Sequence, residues 1–236
     1  MARPIAHRGL HGRQTGLIEN SAAAARAAIA HNYAIECDVQ CSHDGEAMVF
    51  HDAALERLTQ REGCVGAFKA EELSHFSYKD SDEKIITLRT LLELVNSRVT
   101  LIVEIKSRYD GDMRLTDRVL NLITTYSGPI GVKSFDPAIL LRARAKGIPC
   151  PLGLVAQAHH DSEEPAAIVP TRDSSLFDAM KPDFISFALH DLPHPAIAAC
   201  RMNMGLPVMT WTVRSEHDRE RALAYADQII FEGFTP

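Results

Sequence analysis

The sequence predicts an α/β fold in which eight parallel strands close into a barrel, and three observations carry that prediction. Short apolar runs alternate with amphipathic segments from the first residues to the last. A regular βα alternation forces parallel strands joined by right-handed crossovers, which leaves a doubly wound sheet or a closed barrel. Eight such runs fall within 236 residues, close to the roughly 250 residues of a (β/α)8, or TIM, barrel, so one domain over 1–236 accommodates them all.

In chain order, the first strand is expected near 3–6, at RPIA, and the alanine-rich stretch over about 20–31 is a helix with Asn20 or Ser21 as its N-cap. The second strand, 34–39, reads AIECDV. SHDGEAMVFHD after it has the look of a hairpin turning at Asp44 and Gly45, and no clean βα unit follows until about residue 86. The interval of about 52–86 is therefore read as a small insertion after the second strand, a polar stretch with short helical pieces over the barrel mouth. Regular alternation resumes with a helix at 87–97, a strand at 99–105 and a helix at 114–126. The strand at 130–134 leads into a helix over 137–146, where Pro137 sits in the first turn and Gly147 follows the end. Strands at 150–155, 183–187, 207–212 and 228–231, with helices at 174–180, 194–203 and 215–226, complete the pattern, and a polar loop, AHHDSEEPAAIVPTRDSS, follows the fifth strand.

Composition narrows the function. Hydrophobic residues make up 46% and charged residues 24%, ordinary for a globular protein with a large core. A net charge of -6 is not the basic footprint that nucleic-acid binding needs, although a few Arg and Lys side chains can still clasp one phosphate. No apolar run approaches the roughly 20 residues of a membrane span. The five cysteines are scattered without a CxxC pair, and read as small buried hydrophobes in a reducing compartment, the cytoplasm.

Strand parity assembles a chemical centre. In IECDVQ, Glu36 and Asp38 share one face while Ile35, Cys37 and Val39 share the other; LIVEIK likewise pairs Glu104 with Lys106. In a barrel the apolar face packs under the helices and the acids enter the lumen at the C-terminal ends of the strands, where barrel active sites are built. Three buried ionised carboxylates need a counter-charge, and an all-oxygen donor set suits a hard divalent ion, Mg2+ or Ca2+. His7 and Arg8 end the first strand, and His51 and Asp52 stand at another strand end. Two histidines beside a metal suit phosphodiester cleavage, one taking a proton from the nucleophile and the other giving one to the leaving alkoxide. Arg8 and Lys106 would neutralise phosphoryl oxygens.

These residues carry a resemblance. IAHRG, IEN, ECDVQ, HDG, FHDAALERLT and LIVEIK, with SFDPAIL and MTWTV later in the chain, resemble the motifs of the glycerophosphodiester phosphodiesterase family. The resemblance implies a TIM barrel, a divalent metal on Glu36, Asp38 and Glu104, acid-base work by His7 and His51, and phosphate contacts from Arg8 and Lys106. It also implies a place for Glu19 near the substrate and for Trp211 on the pocket wall. The reaction it implies is hydrolysis of a water-soluble glycerophosphodiester to glycerol 3-phosphate and an alcohol, through attack of the glycerol 2-hydroxyl and a cyclic phosphate that water opens. The chain departs from the pattern at Ile18, at Cys41 and Ser42, and at Phe231 and Glu232, where the family has Thr-Asp.

Three rivals stand beside that reading. A lysophospholipase D-like enzyme acting on lipids would need apolar loops at the mouth, whereas AHHDSEEP and SYKDSDEK are polar. A glycosidase could use Glu36 and Glu104 as its acid pair but has no call for His7, His51 and Arg8. A non-catalytic barrel that binds phosphodiesters would have lost part of the set. Trp211, expected on one face with Met209 and Val213, and Ser134 and Phe135 fit core and pocket equally; His43, His159 and His160 are expected in solvated loops.

Overall fold

The computed structural model describes residues 3–158 and 175–236. The order begins with β1 (Ile5–Ala6), α1 (Ala22–Ala30), β2 (Ala34–Cys41), β3 (Ala47–Val49), α2 (Ala70–Leu73), β4 (Ile86–Thr87) and α3 (Leu88–Val95). It continues with β5 (Leu101–Ile105), α4 (Arg114–Thr124), β6 (Ile130–Ser134), α5 (Pro137–Ala145), β7 (Leu152–Ala156) and α6 (Ser175–Met180). Last come β8 (Phe184–Ala188), α7 (Pro195–Met204), β9 (Val208–Val213), α8 (Glu216–Tyr225) and β10 (Gln228–Phe231). Strands β1, β2 and β5 to β10 pair in parallel, and β1 hydrogen-bonds to both β10 and β2, so the sheet closes into the (β/α)8 barrel expected from the sequence. His159 and His160, and most of the loop that holds them, lie outside the described residues.

Alternation along each strand divides the core into layers. Ile35, Cys37, Val39, Leu101, Val103 and Ile105 pack outward against residues such as Ala25, Leu91, Val119 and Leu120 of the surrounding helices. The opposite face points into the lumen. Its floor is apolar, built from Ile5, Ala34, Ile102, Phe184, Met209 and Ile230. Phe184 fills the space that Gly153 leaves open, where a Cβ would sit 2.1 Å from its ring. Two residues further along the same strands, parity puts His7, Glu36, Glu104 and Lys133 on the lumen side, so the floor gives way to a charged layer at the C-terminal ends.

The hairpin after β2 is as read from the sequence. β2 and β3 are antiparallel, with Gly45 at φ 84° in the turn, and β4 adds to β3. Between β3 and β4 the chain is less polar within than the sequence reading implied: Met48, Phe50, Leu55, Val65, Leu73, Phe76, Tyr78 and Ile85 form a separate buried cluster. Parity fails on β9. Met209 faces the floor, but Val213 packs in the outer layer, because β9 advances from Thr210 to Val213 while β10 advances only from Ile229 to Phe231, and the extra residue flips the alternation. Cys37, Cys150 and Cys200 are buried as expected, whereas Cys64 is exposed and Cys41 is half-buried.

Candidate active site and metal centre

His7 and Arg8 reach the lumen because the chain turns sharply as it leaves β1. Arg8 (φ 54°) and Gly9 (φ 81°) both occupy the left-handed region, and a Cβ on Gly9 would come within 2.9 Å of Ala24. The turn aims the Arg8 backbone N–H at Glu36 Oε2 (3.2 Å), sets its Nε 3.2 Å from Asp38 Oδ2, and brings Nη1 to Glu19 Oε1 at 2.7 Å. Asn20, also left-handed (φ 57°), is not the helix cap; its side-chain amide donates to Asp38 Oδ2 at 3.0 Å, and Ser21 caps α1 instead.

Glu36, Asp38 and Glu104 come together as parity required, with one oxygen of each within 4.8 Å of the others. All three are buried, and the register Asp38↔Glu104 across β2 and β5 sets them side by side. Their neighbours are cations. Lys106 Nζ lies 2.5 Å from Glu104 Oε1 and 3.2 Å from Asp38 Oδ1. Lys133, 2% exposed, sits 2.6 Å from Glu104 Oε2 and 3.0 Å from Glu36 Oε1. Burial alone would raise the carboxyl pKa values of Asp38 and Glu104; Lys106, with Arg8 at Asp38 and Lys133 at Glu104, outweighs it and holds both well below the ordinary range. Burial likewise works against a charged Lys133, yet Glu104 and Glu36 raise its pKa and keep it protonated.

Each histidine is held from behind by an acid. His7 Nδ1 lies 2.6 Å from Glu232 Oε2, whose other oxygen accepts from Arg214 Nε at 2.8 Å. His51 Nδ1 lies 2.7 Å from Asp52 Oδ1, and Asp52 in turn accepts from Arg57 Nε at 2.5 Å. A carboxylate on Nδ1 favours the tautomer with its proton there, which leaves Nε2 to exchange protons with a ligand. His7 Nε2 is 3.9 Å from Glu36 Oε2. Arg57 also reaches Glu19 (2.7 Å), so His51, Asp52, Arg57, Glu19, Arg8 and Asp38 form one continuous network.

A cavity of about 240 Å3 opens above the acids, lined by His7, His51, Arg8, Lys106, Trp211 and Arg214 among others. Trp211 stands edge-on to Phe135, with ring centroids 5.8 Å apart, and its indole N–H is buried with no partner among the described residues. Glu19 is not on that wall; its carboxylate is held by Arg8 and Arg57. Sequence reasoning missed three participants. Lys133 was legible by parity, since β6 places it opposite Glu104. Glu232 registered only as a departure from the family pattern. His11, whose Nε2 is 3.6 Å from Glu232, gave no signal.

The donor set fits a hard divalent cation: three carboxylates, with Glu36 Oε1 and Asp38 Oδ1 buried and each facing a lysine ammonium, at 3.0 and 3.2 Å, without an aligned hydrogen bond. His7, His11 and Glu232 also cluster within 4.8 Å, but Glu232 is already engaged by His7 Nδ1 at 2.6 Å and Arg214 Nε at 2.8 Å, with His11 Nε2 at 3.6 Å.

Several known proteins are similar to this chain over nearly its whole length. A curated glycerophosphodiester phosphodiesterase from Caldanaerobacter subterraneus subsp. tengcongensis is 28% identical, the match covering 96% of this chain and 92% of that protein. Among solved structures, an Oleispira antarctica phosphodiesterase in complex with the product sn-glycerol-3-phosphate superposes with a TM-score of 0.83 at 19% identity, covering 98% of this chain and 92% of the other. A glycerophosphodiester phosphodiesterase from Thermotoga maritima superposes at 0.74 with 22% identity, covering 98% and 95%. The family model described as the glycerophosphoryl diester phosphodiesterase family matches residues 7–231, and the chain belongs to that family.

Proposed function

We propose that the whole chain acts as one catalytic domain, a metal-dependent hydrolase that converts soluble glycerophosphodiesters to glycerol 3-phosphate and an alcohol. The observation that carries this reading is the convergence of Glu36, Asp38 and Glu104 beneath a cavity lined by both His7 and His51. Glu36, Asp38 and Glu104 would hold Mg2+ or Ca2+, which when bound supplies positive charge against the phosphoryl oxygens. Arg8 and Lys106 add charge on the same side of the cavity, and Trp211 with Phe135 forms an apolar wall for the glycerol carbons. One imidazole withdraws the proton of the attacking glycerol hydroxyl while the other protonates the departing alkoxide; with the roles reversed, the pair lets water open the cyclic phosphate. Among the described residues no helix is long and apolar enough to cross a membrane, and five unpaired cysteines fit a reducing compartment such as the cytoplasm.

The test is release of glycerol 3-phosphate from a panel of glycerophosphodiesters, with and without chelator. Loss of activity on chelation and recovery with Mg2+ or Ca2+ are expected; turnover that survives complete chelation rejects the metal assignment. His7→Ala should lose about 10²- to 10⁴-fold in kcat while remaining folded by circular dichroism.

A further inference from the structure

Beside the cavity above the acids lies a second groove, of about 690 Å3, and the two share His51 and Lys106 as a common wall. The first cavity is smaller than the roughly 300 Å3 at which pockets begin to enclose drug-sized ligands, enough for a phosphate and three carbons; the second lies inside the usual range. A diester lodged by its glycerol phosphate half in the first must therefore pass its other half across His51. We propose, resting on the function proposed above, that the second groove is the subsite for the leaving alcohol and that Arg108 makes it select hydroxyl-rich alcohols, such as a cyclitol or a second glycerol, over quaternary ammonium ones.

The charges in the groove separate into committed and available groups, and its carboxylate besides Asp52, that of Glu56, accepts from the Gly63 N–H at 2.7 Å. Arg57 is held by Glu19 and Asp52, Asp52 by Arg57 and His51, and Lys106 by Glu104 and Asp38. Arg108, by contrast, is exposed and makes no salt bridge among the described residues. Its guanidinium lies over Gly66, where a Cβ would stand 1.9 Å from Nη2, so the absence of a side chain at 66 gives it that position. A guanidinium offers a fork of N–H donors that hydroxyl oxygens accept, and it repels a quaternary ammonium. Such cations are recognised by several aromatic faces around them; this groove offers only Tyr109 among its described lining residues.

The placement also divides the acid-base work. His51 borders both cavities, so it stands beside the ester oxygen of the alcohol. As the glycerol 2-hydroxyl oxygen bonds to phosphorus and yields its proton to His7, the bond from phosphorus to the alcohol oxygen breaks and that oxygen takes the proton of His51. In the second step the oxygen of water bonds to phosphorus as its proton passes to His51, the bond from phosphorus to the glycerol 2-oxygen breaks, and that oxygen takes back the proton held by His7.

The experiment measures kcat/KM for glycerol 3-phosphate release by the full chain from its diesters with inositol, glycerol and choline. The wild type is expected to prefer the inositol and glycerol diesters. Arg108→Ala should lower the inositol-to-choline ratio about tenfold, the worth of a hydrogen bond to a charged group, and Arg108→Lys should lower it less. A wild type that prefers the choline diester overturns the proposal, as does Arg108→Ala slowing all three substrates equally. A ratio moved by Phe135→Ala and not by Arg108→Ala puts the alcohol against the aromatic wall and also overturns it. No product from any diester is a different result, which defeats the proposed function and the subsite together.

Discussion

At Glu232, exchanging one carboxylate oxygen for an amide nitrogen changes what holds His7. The acid keeps the Nδ1 proton in place, so Glu232→Gln is expected to lower kcat at least about tenfold, with KM changed less, because a misplaced tautomer impairs proton transfer more than binding. The same residue predicts a pH dependence. Burial alone would raise the Glu232 pKa, but His11 at 3.6 Å, the hydrogen-bonded His7 and the charge of Arg214 hold it well below the ordinary value. A depressed carboxyl pKa contributes stability above the unfolded value, near 4.3, and loses it as pH falls from there toward the folded value. Thermal unfolding of wild type and Glu232→Gln should thus differ at neutral pH, and the gap should begin to narrow as pH falls below about 4. A gap that widens on acidification would show that Glu232 is not held as an anion. Its pairing with His7 joins positions 225 residues apart, a distance over which the sequence carries no pairing signal, so it was legible only as an unfamiliar acid after the last strand.

Among the strands, two-residue alternation was enough to find the acids, because β2 and β5 run without interruption through the region that matters. Lys133 obeys the same rule and was overlooked for a physical reason. Three carboxylates are balanced on paper by one divalent cation, so their number alone does not call for a second buried ammonium. The rule itself breaks on β9, where the extra residue reverses the face of Val213, a local irregularity that no periodicity announces. The β5–β6 register that opposes Lys133 to Glu104 makes a prediction about both stability and metal. Lys133→Met leaves Glu104 and Glu36 without their ammonium at 2.6 and 3.0 Å and should destabilise the fold by about 3–5 kcal/mol, the usual effect of removing one partner from a buried pair. With a counter-charge missing, Mg2+ or Ca2+ should raise the melting temperature of this variant more than that of the wild type. Equal shifts for both proteins would place the ion away from these acids.

For the molecule as a whole, the site depends on two separately packed bodies of apolar residues. The barrel supplies Glu36, Asp38, Glu104 and His7, whereas Asp52 and Arg57 belong to the segment between β3 and β4, which has its own core around Phe50, Leu73 and Tyr78. That segment meets the barrel through polar contacts, Arg57 with Glu19 and Glu83 with the Ala23 backbone N–H, and through the short β3 and β4 strands. A cluster this small, joined in this way, should open at lower free energy than the closed sheet. Leu73→Ala, which hollows the cluster at a fully buried position, should cost about 2–5 kcal/mol locally. Amide exchange over 52–86 would then accelerate while the barrel amides of Val132 and Ile185 keep their protection, since those hydrogen bonds lie across the barrel wall. Activity should fall in parallel, because His51 would lose the Asp52–Arg57 brace that fixes its ring. Faster exchange spread evenly over both parts would instead mean that barrel and insertion unfold as one cooperative unit, and that the brace is as stable as the sheet it leans on.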